Sequence, residues 1–113
     1  MTHSISLIKH WENTITIEIP EYSNFIPVTE YLKTIETLYD ANPVPSLTII
    51  IADKESLSSV AYGFMMSLSK FSIKKGITLK LVCNERKILE LIEILKIGQL
   101  FSIYPTLEES TTD

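Results

Sequence analysis

The chain has 113 residues, 45% of them hydrophobic, and a formal charge of −4 at pH 7. That length fits one domain over residues 1–113, with roughly two thirds of the unfolded surface buried in one core. The hydrophobic fraction excludes a disordered chain; an acidic balance without a run of five like charges excludes a basic nucleic-acid footprint and a polybasic membrane patch.

Residues 5–9 (ISLIK) and 14–19 (TITIEI) alternate with period two and flank His10-Trp11-Glu12-Asn13, which reads as a turn. Together they predict a hairpin, with Ile15, Ile17 and Ile19 on one face and Thr14, Thr16 and Glu18 on the other. The stretch Met1–Lys9 lacks a continuous apolar run, so it does not read as a signal peptide. A proline-bounded loop, 20–27, leads into VTEYLKTIETLYDA, where Val28, Tyr31, Leu32, Ile35, Leu38 and Tyr39 form the stripe of an amphipathic helix. Asn42-Pro43-Val44-Pro45-Ser46 ends it, because proline cannot continue the backbone ladder.

Residues 47–52 (LTIIIA) are rich in β-branched side chains and predict a strand buried on both faces. A polar loop, 53–56, precedes a helix from about Ser59 to Lys74 that carries Ala61, Met65, Leu68 and Phe71 among others. Adjacent helical residues point about 100° apart. Of Met65 and Met66, therefore, one packs inside and the other lies towards a groove. Gly76 suits the helix C-cap, and residues 77–82 form the next strand. Asn84 is placed to cap a third helix with Ile88, Leu91, Ile92 and Leu95 as its stripe, closed by Gly98. Residues 100–104 predict a short strand, and 107–109 a frayed last turn.

The order β-β-α-β-α-β-α-β implies an α/β domain: a mainly parallel sheet with an N-terminal hairpin and helices packed on it through right-handed crossovers. Such folds work from loops at the carboxyl ends of their strands. That makes 52–59 the first place to look for function.

Motifs for chemistry are missing. Gly63, Gly76 and Gly98 are too far apart for a phosphate loop. No HExxH or Cys/His cluster offers a metal site, and no cofactor is implied. His3 and His10 read as solvent-exposed bystanders, and Trp11 as an apolar lid over the sheet edge. Glu90 and Glu93 share a helix side as solvated charges. The lone Cys83 reads as a half-buried thiol at a strand end, and a single cysteine suits a reducing, cytoplasmic compartment. Tyr22, Phe25, Tyr31 and Tyr39 interleave with acidic residues, against single-strand stacking in a positive groove. A catalytic role is not expected.

One segment carries a specific resemblance. Leu47–Gly76 resembles the centre of STAS domains, the anti-sigma-factor antagonist family, in which a buried strand leads to Asp-Ser-Ser/Thr-Gly-Leu-Gly at a helix start. Here that run is Ser58-Ser59-Val60-Ala61-Tyr62-Gly63, after Leu57. The helix, Gly76, the strand ITLKLV and the tail 97–110 follow in the family's order. Ser58 replaces the family's Asp, Val60 the second hydroxyl and Ala61 the first glycine; Ser59 and Gly63 match. The position of an Asp often found within the preceding strand is taken by Ile50.

The resemblance implies a protein-binding module whose partner is an anti-sigma factor of the serine kinase type. Ser59, with Ser58 beside it, is the phosphorylation candidate. Ser56, Leu57, Ser58, Ser59, Tyr62, Gly63 and Met66 are the partner-binding candidates. The plain structural role of Ser58 or Ser59 is a helix N-cap, worth about 1 kcal/mol. Because the motif is degenerate, the resemblance equally implies a second reading: a phosphorylation-independent subunit of a lipid-transport ABC complex. A third, a lipid- or nucleotide-binding domain, requires a ligand-sized cavity beneath the loop.

Overall fold

The computed structural model describes residues 8–19, 27–51, 59–96 and 98–110. Strands β1 (Ile8–Trp11) and β2 (Thr14–Glu18) pair antiparallel, Trp11 facing Thr14. The hairpin loop is therefore two residues, Glu12 and Asn13, where the sequence suggests four. Glu12 takes φ 56°, and a positive φ lets so short a loop match the twist of its strands. His10 and Trp11 become strand residues as a result, and residues 5–7 of the expected first strand lie outside the described residues. His10 also corrects its reading as a bystander. It is half-buried, and its Nε2 lies 3.1 Å from the Asn42 carbonyl, joining the edge strand to the end of the first helix.

That helix, α1 (Val28–Ala41), spans its predicted residues. Tyr31 and Ile35 are fully buried, while Val28, Leu32, Leu38 and Tyr39 pack half-buried against the core. Strand β3 (Ser46–Ile50) precedes α2 (Ser59–Lys75), then β4 (Thr78–Val82) and α3 (Arg86–Leu95). A 3₁₀ turn over 98–100, β5 (Ser102–Tyr104) and a single-turn helix α4 (Leu107–Ser110) complete the order.

The end of α2 is as the glycine predicts. Gly76 takes φ 69°, its N–H donates to the Ile73 carbonyl at 3.2 Å, and the Ile77 N–H to the Ser72 carbonyl at 3.0 Å. This is the Schellman arrangement. The ends of α3 differ from expectation. Its N-cap is Glu85, in extended conformation without a side-chain bond, and Asn84 is exposed one residue earlier. At the other end Lys96 takes the left-handed conformation, φ 58°, two residues before Gly98, which instead begins the 3₁₀ turn. That turn takes residues 98–100, so β5 starts at 102 and not at 100. The stripe of α3 is also narrower than predicted: Ile88 and Ile92 are buried, whereas Leu91 is 37% exposed.

The sheet order is the chain order, β1-β2-β3-β4-β5, with β2 to β5 parallel. Each right-handed crossover then steps one strand in the same direction, which puts α1, α2 and α3 on one face. The apolar rows Ile15–Leu47–Leu79 and Ile17–Ile49–Leu81 run across that face in register. They form one core with Tyr31, Phe64, Leu68 and Ile88 from the helices.

The opposite face carries the row Thr16–Thr48–Lys80–Ser102. Its buried hydroxyls are bonded within the sheet: Thr48 Oγ1 donates to Thr14 Oγ1 at 2.8 Å, and Thr14 Oγ1 donates to the Ser46 carbonyl at 2.9 Å. Buried polar groups need such partners, because an unmade bond costs about 1–3 kcal/mol. Helix α4 lies against this face. The Lys80 ammonium donates to the Ser110 carbonyl and sits 5.6 Å from the centre of the Tyr104 ring.

Candidate functional site

Helix α2 is fixed by the residues that face inward. Ala61, Phe64, Met65, Leu68 and Ser72 are all buried, and at about 100° per residue they fall on one side of the helix. Phe64 meets Tyr31 of α1 edge-on, ring centres 5.5 Å apart, and Phe71 meets Tyr39 in the same way at 5.6 Å. The spacing, eight residues along α1 and seven along α2, fits helices lying side by side. Burying Phe64 alone contributes about 2–3 kcal/mol. The start of α2 is thus held by its core side, and its outer crest is free to meet another molecule.

Four of the predicted site residues stand on that crest. Ser59 is exposed as the first residue of the helix, Tyr62 is 37% exposed, Gly63 is exposed and Met66 is half-buried. The offsets of three, four and seven residues put them on one face. The methionines divide as their spacing requires, Met65 fully buried and Met66 half-buried at the margin of the core. A Cβ added at Gly63 would meet nothing within 4 Å, so the glycine leaves open surface where a side chain would stand. Ser56, Leu57 and Ser58 lie outside the described residues. Of the two N-cap candidates, Ser59 is the first helical residue.

The first turn of α2 holds no acidic residue. Its leading N–H groups have no carbonyl of their own helix to bond, and the helix dipole adds partial positive charge there. An anion carried on the Ser59 hydroxyl would be tolerated electrostatically.

The carboxyl ends of β3 and β4 border a depression of about 280 Å³, lined by Ile50, Ile51, Val82, Cys83, Glu85 and Pro105 among others. Small-molecule pockets run to roughly 300–1,000 Å³, so this one lies just below that range. Cys83 is fully buried where half-burial was expected, and its Sγ–H points to the Glu85 carbonyl at 3.8 Å. Burial pushes the thiol pKa up, with the Glu85 charge adding to the rise. The thiol stays protonated near neutral pH, and a protonated thiol is a poor nucleophile. Among the described residues no group of three or more His, Cys, Asp or Glu could hold a metal. Among the same residues no helix is long and apolar enough to cross a membrane.

Sequence reasoning missed the far end of the crest. Ile73 is 74% exposed, between the exposed Lys70 and Lys74. The signal was in the spacing: Ile73 lies eleven residues, close to three turns, beyond Tyr62.

A family model described as STAS domain matches residues 7–110 of the chain. No curated protein and no solved structure matches it.

Proposed function

The chain belongs to the STAS domain family, and on that footing we propose that it is a protein-binding regulatory module, not an enzyme, which docks a partner through the start of α2. The observation that carries this reading is the crest itself. Ser59, Tyr62, Gly63 and Met66 share one outward face at the carboxyl edge of a parallel sheet. The partner is an anti-sigma factor with serine-kinase activity, and Ser59 is the switch. A phosphoserine carries roughly −1.5 to −2 charges at pH 7. The helix terminus accommodates that charge, while a partner surface packed over Tyr62 and Met66 would have to desolvate it. Release is then a local electrostatic event that requires no change of fold.

The departures at Ser58, Val60 and Ala61 favour a second reading, in which docking on the same face is constitutive and the partner is the ATPase subunit of a lipid-transport complex. Ala61 is fully buried and offers nothing to a kinase or a partner.

The test is recovery of the partner on tagged protein, with phosphate mapping across residues 56–63. Ser59→Glu should reduce recovery of a kinase partner at least tenfold, and Ser59→Ala should retain it. Recovery of an ATPase subunit, lost with Tyr62→Ala and without phosphate on Ser59, selects the second reading. Full recovery with both Ser59→Glu and Tyr62→Ala removes the crest from the interface and defeats both.

A further inference from the structure

The crest of α2 does not stop at Met66. At about 100° per residue, Tyr62, Met66 and Ile73 fall within a strip about 40° wide along the helix. Lys70 and Lys74 lie on the flank of that strip nearer α1. From Tyr62 to Ile73 it runs about 16 Å, three helical turns. On the other flank, a groove of about 210 Å³ lies between α2 and the 3₁₀ turn, lined by Ser69, Ser72, Ile73, Ile77 and Leu100 among others.

The charge on this surface is opposite to that of the whole chain. The net charge is −4, yet α2 holds three lysines and not one acidic residue. Lys75 is turned back over the rings of Tyr39 and Phe71, at 5.5 and 5.8 Å. Lys70 and Lys74 are exposed beside the apolar strip. Lysines in a last helical turn also complement the helix dipole. That role explains Lys74, but not Lys70 a turn earlier or an Ile73 left 74% exposed between them.

We propose that the outer face of α2 docks an acidic amphipathic helix of the partner protein, its apolar face along Tyr62–Met66–Ile73 and its carboxylates against Lys70 and Lys74. This rests on the docking crest described above and names the chemistry of what occupies it. The i, i+3/i+4, i+7 anchors of helix-in-groove recognition span about 10.5 Å and fit within this strip, and the groove beside Ile73 receives an apolar anchor. An anionic membrane is the weaker match, because lipid-binding patches cluster roughly four to eight basic residues and of the lysines of α2 only Lys70 and Lys74 are exposed.

The test uses the full chain, isotope-labelled, titrated with a designed helical peptide of about 18 residues, long enough to hold helix in water. The peptide has leucines on one face and glutamates along one flank. Amide shifts should move at Tyr62, Met66, Lys70, Ile73 and Lys74. Lys70→Glu with Lys74→Glu should weaken binding about tenfold, equal to 1.4 kcal/mol, and a lysine-flanked version of the peptide should prefer that variant. Ile73→Asp should also cost about tenfold. The proposal is overturned if the peptide leaves α2 unmoved, or if the lysine-flanked peptide binds the unaltered chain as well as the acidic one. It is overturned equally if Ile73→Asp abolishes binding to anionic phosphatidylserine vesicles or self-association in sedimentation while leaving peptide binding intact. Recovery of the partner on tagged protein, compared for Ser59→Glu and for the double lysine variant, separates this inference from the switch. A lysine effect without a Ser59 effect refutes the switch alone; a Ser59 effect without a lysine effect refutes this inference alone.

Discussion

The two glycines of α2 and its cap should respond to the same substitution with opposite signs. Gly63 sits inside the helix without a positive φ, and a Cβ there meets nothing within 4 Å. Gly63→Ala therefore adds a helix-favouring residue without strain, and should stabilise the protein by about 0.8–1 kcal/mol. Gly76 takes φ 69° and closes the helix. An alanine there brings Cβ against the following carbonyl in the left-handed conformation, so Gly76→Ala should cost about 1–2 kcal/mol. The two variants should differ by about 2–3 kcal/mol, and for a chain of this length 1 kcal/mol moves Tm by roughly 4 °C. Urea denaturation read by circular dichroism measures both, with the slope against denaturant unchanged if only stability has moved. A destabilised Gly63→Ala would mean that the position is not open surface, and would remove the geometric basis of the crest. If Gly63→Ala is the more stable protein but captures less partner, the glycine is there for close approach and not for the fold.

Further outcomes follow from the sheet's second face and from the buried titratable groups. Lys80→Met keeps the stem of the side chain and removes the ammonium that holds the Ser110 carbonyl. It should cost about 1–3 kcal/mol and speed hydrogen exchange over 107–110; unchanged exchange there would show that α4 is held by other contacts. Burial raises the pKa of both the Cys83 thiol and the Tyr31 phenol. For an acid whose folded pKa is raised, the folded state binds more protons than the unfolded one above the unfolded pKa. Stability should hold below about pH 8.5 and fall above it, first through Cys83 and then, near pH 10, through Tyr31. Denaturation of the unaltered chain and of Cys83→Ala at pH 7.5 and pH 9.5 checks this. Equal losses in the two proteins would assign the alkaline fall to groups other than the thiol.

The sequence alone determined the elements whose signal is local. The stripe of α1, the glycine ending α2 and the β-branched run of β3 each depend on residues within one or two turns or strands of one another. The order of strands and helices then limited the topology to a parallel sheet with a hairpin at its start. Helical spacing also puts Ser59, Tyr62, Gly63 and Met66 on a common face, while their selection as site candidates came from the family resemblance and not from spacing.

Tertiary structure decided what depends on neighbours far along the chain. Whether the hairpin loop held two residues or four rested on the register against Thr14. His10 found its partner at Asn42, 32 positions away. Lys80 is buried under α4 because the row it occupies lies on the face that α4 covers. Ile73 stands in solvent. A helix with apolar residues on nearly every side does not say which of them the sheet will take; only the packing of Phe64, Met65 and Leu68 turned the strip from Tyr62 to Ile73 outward.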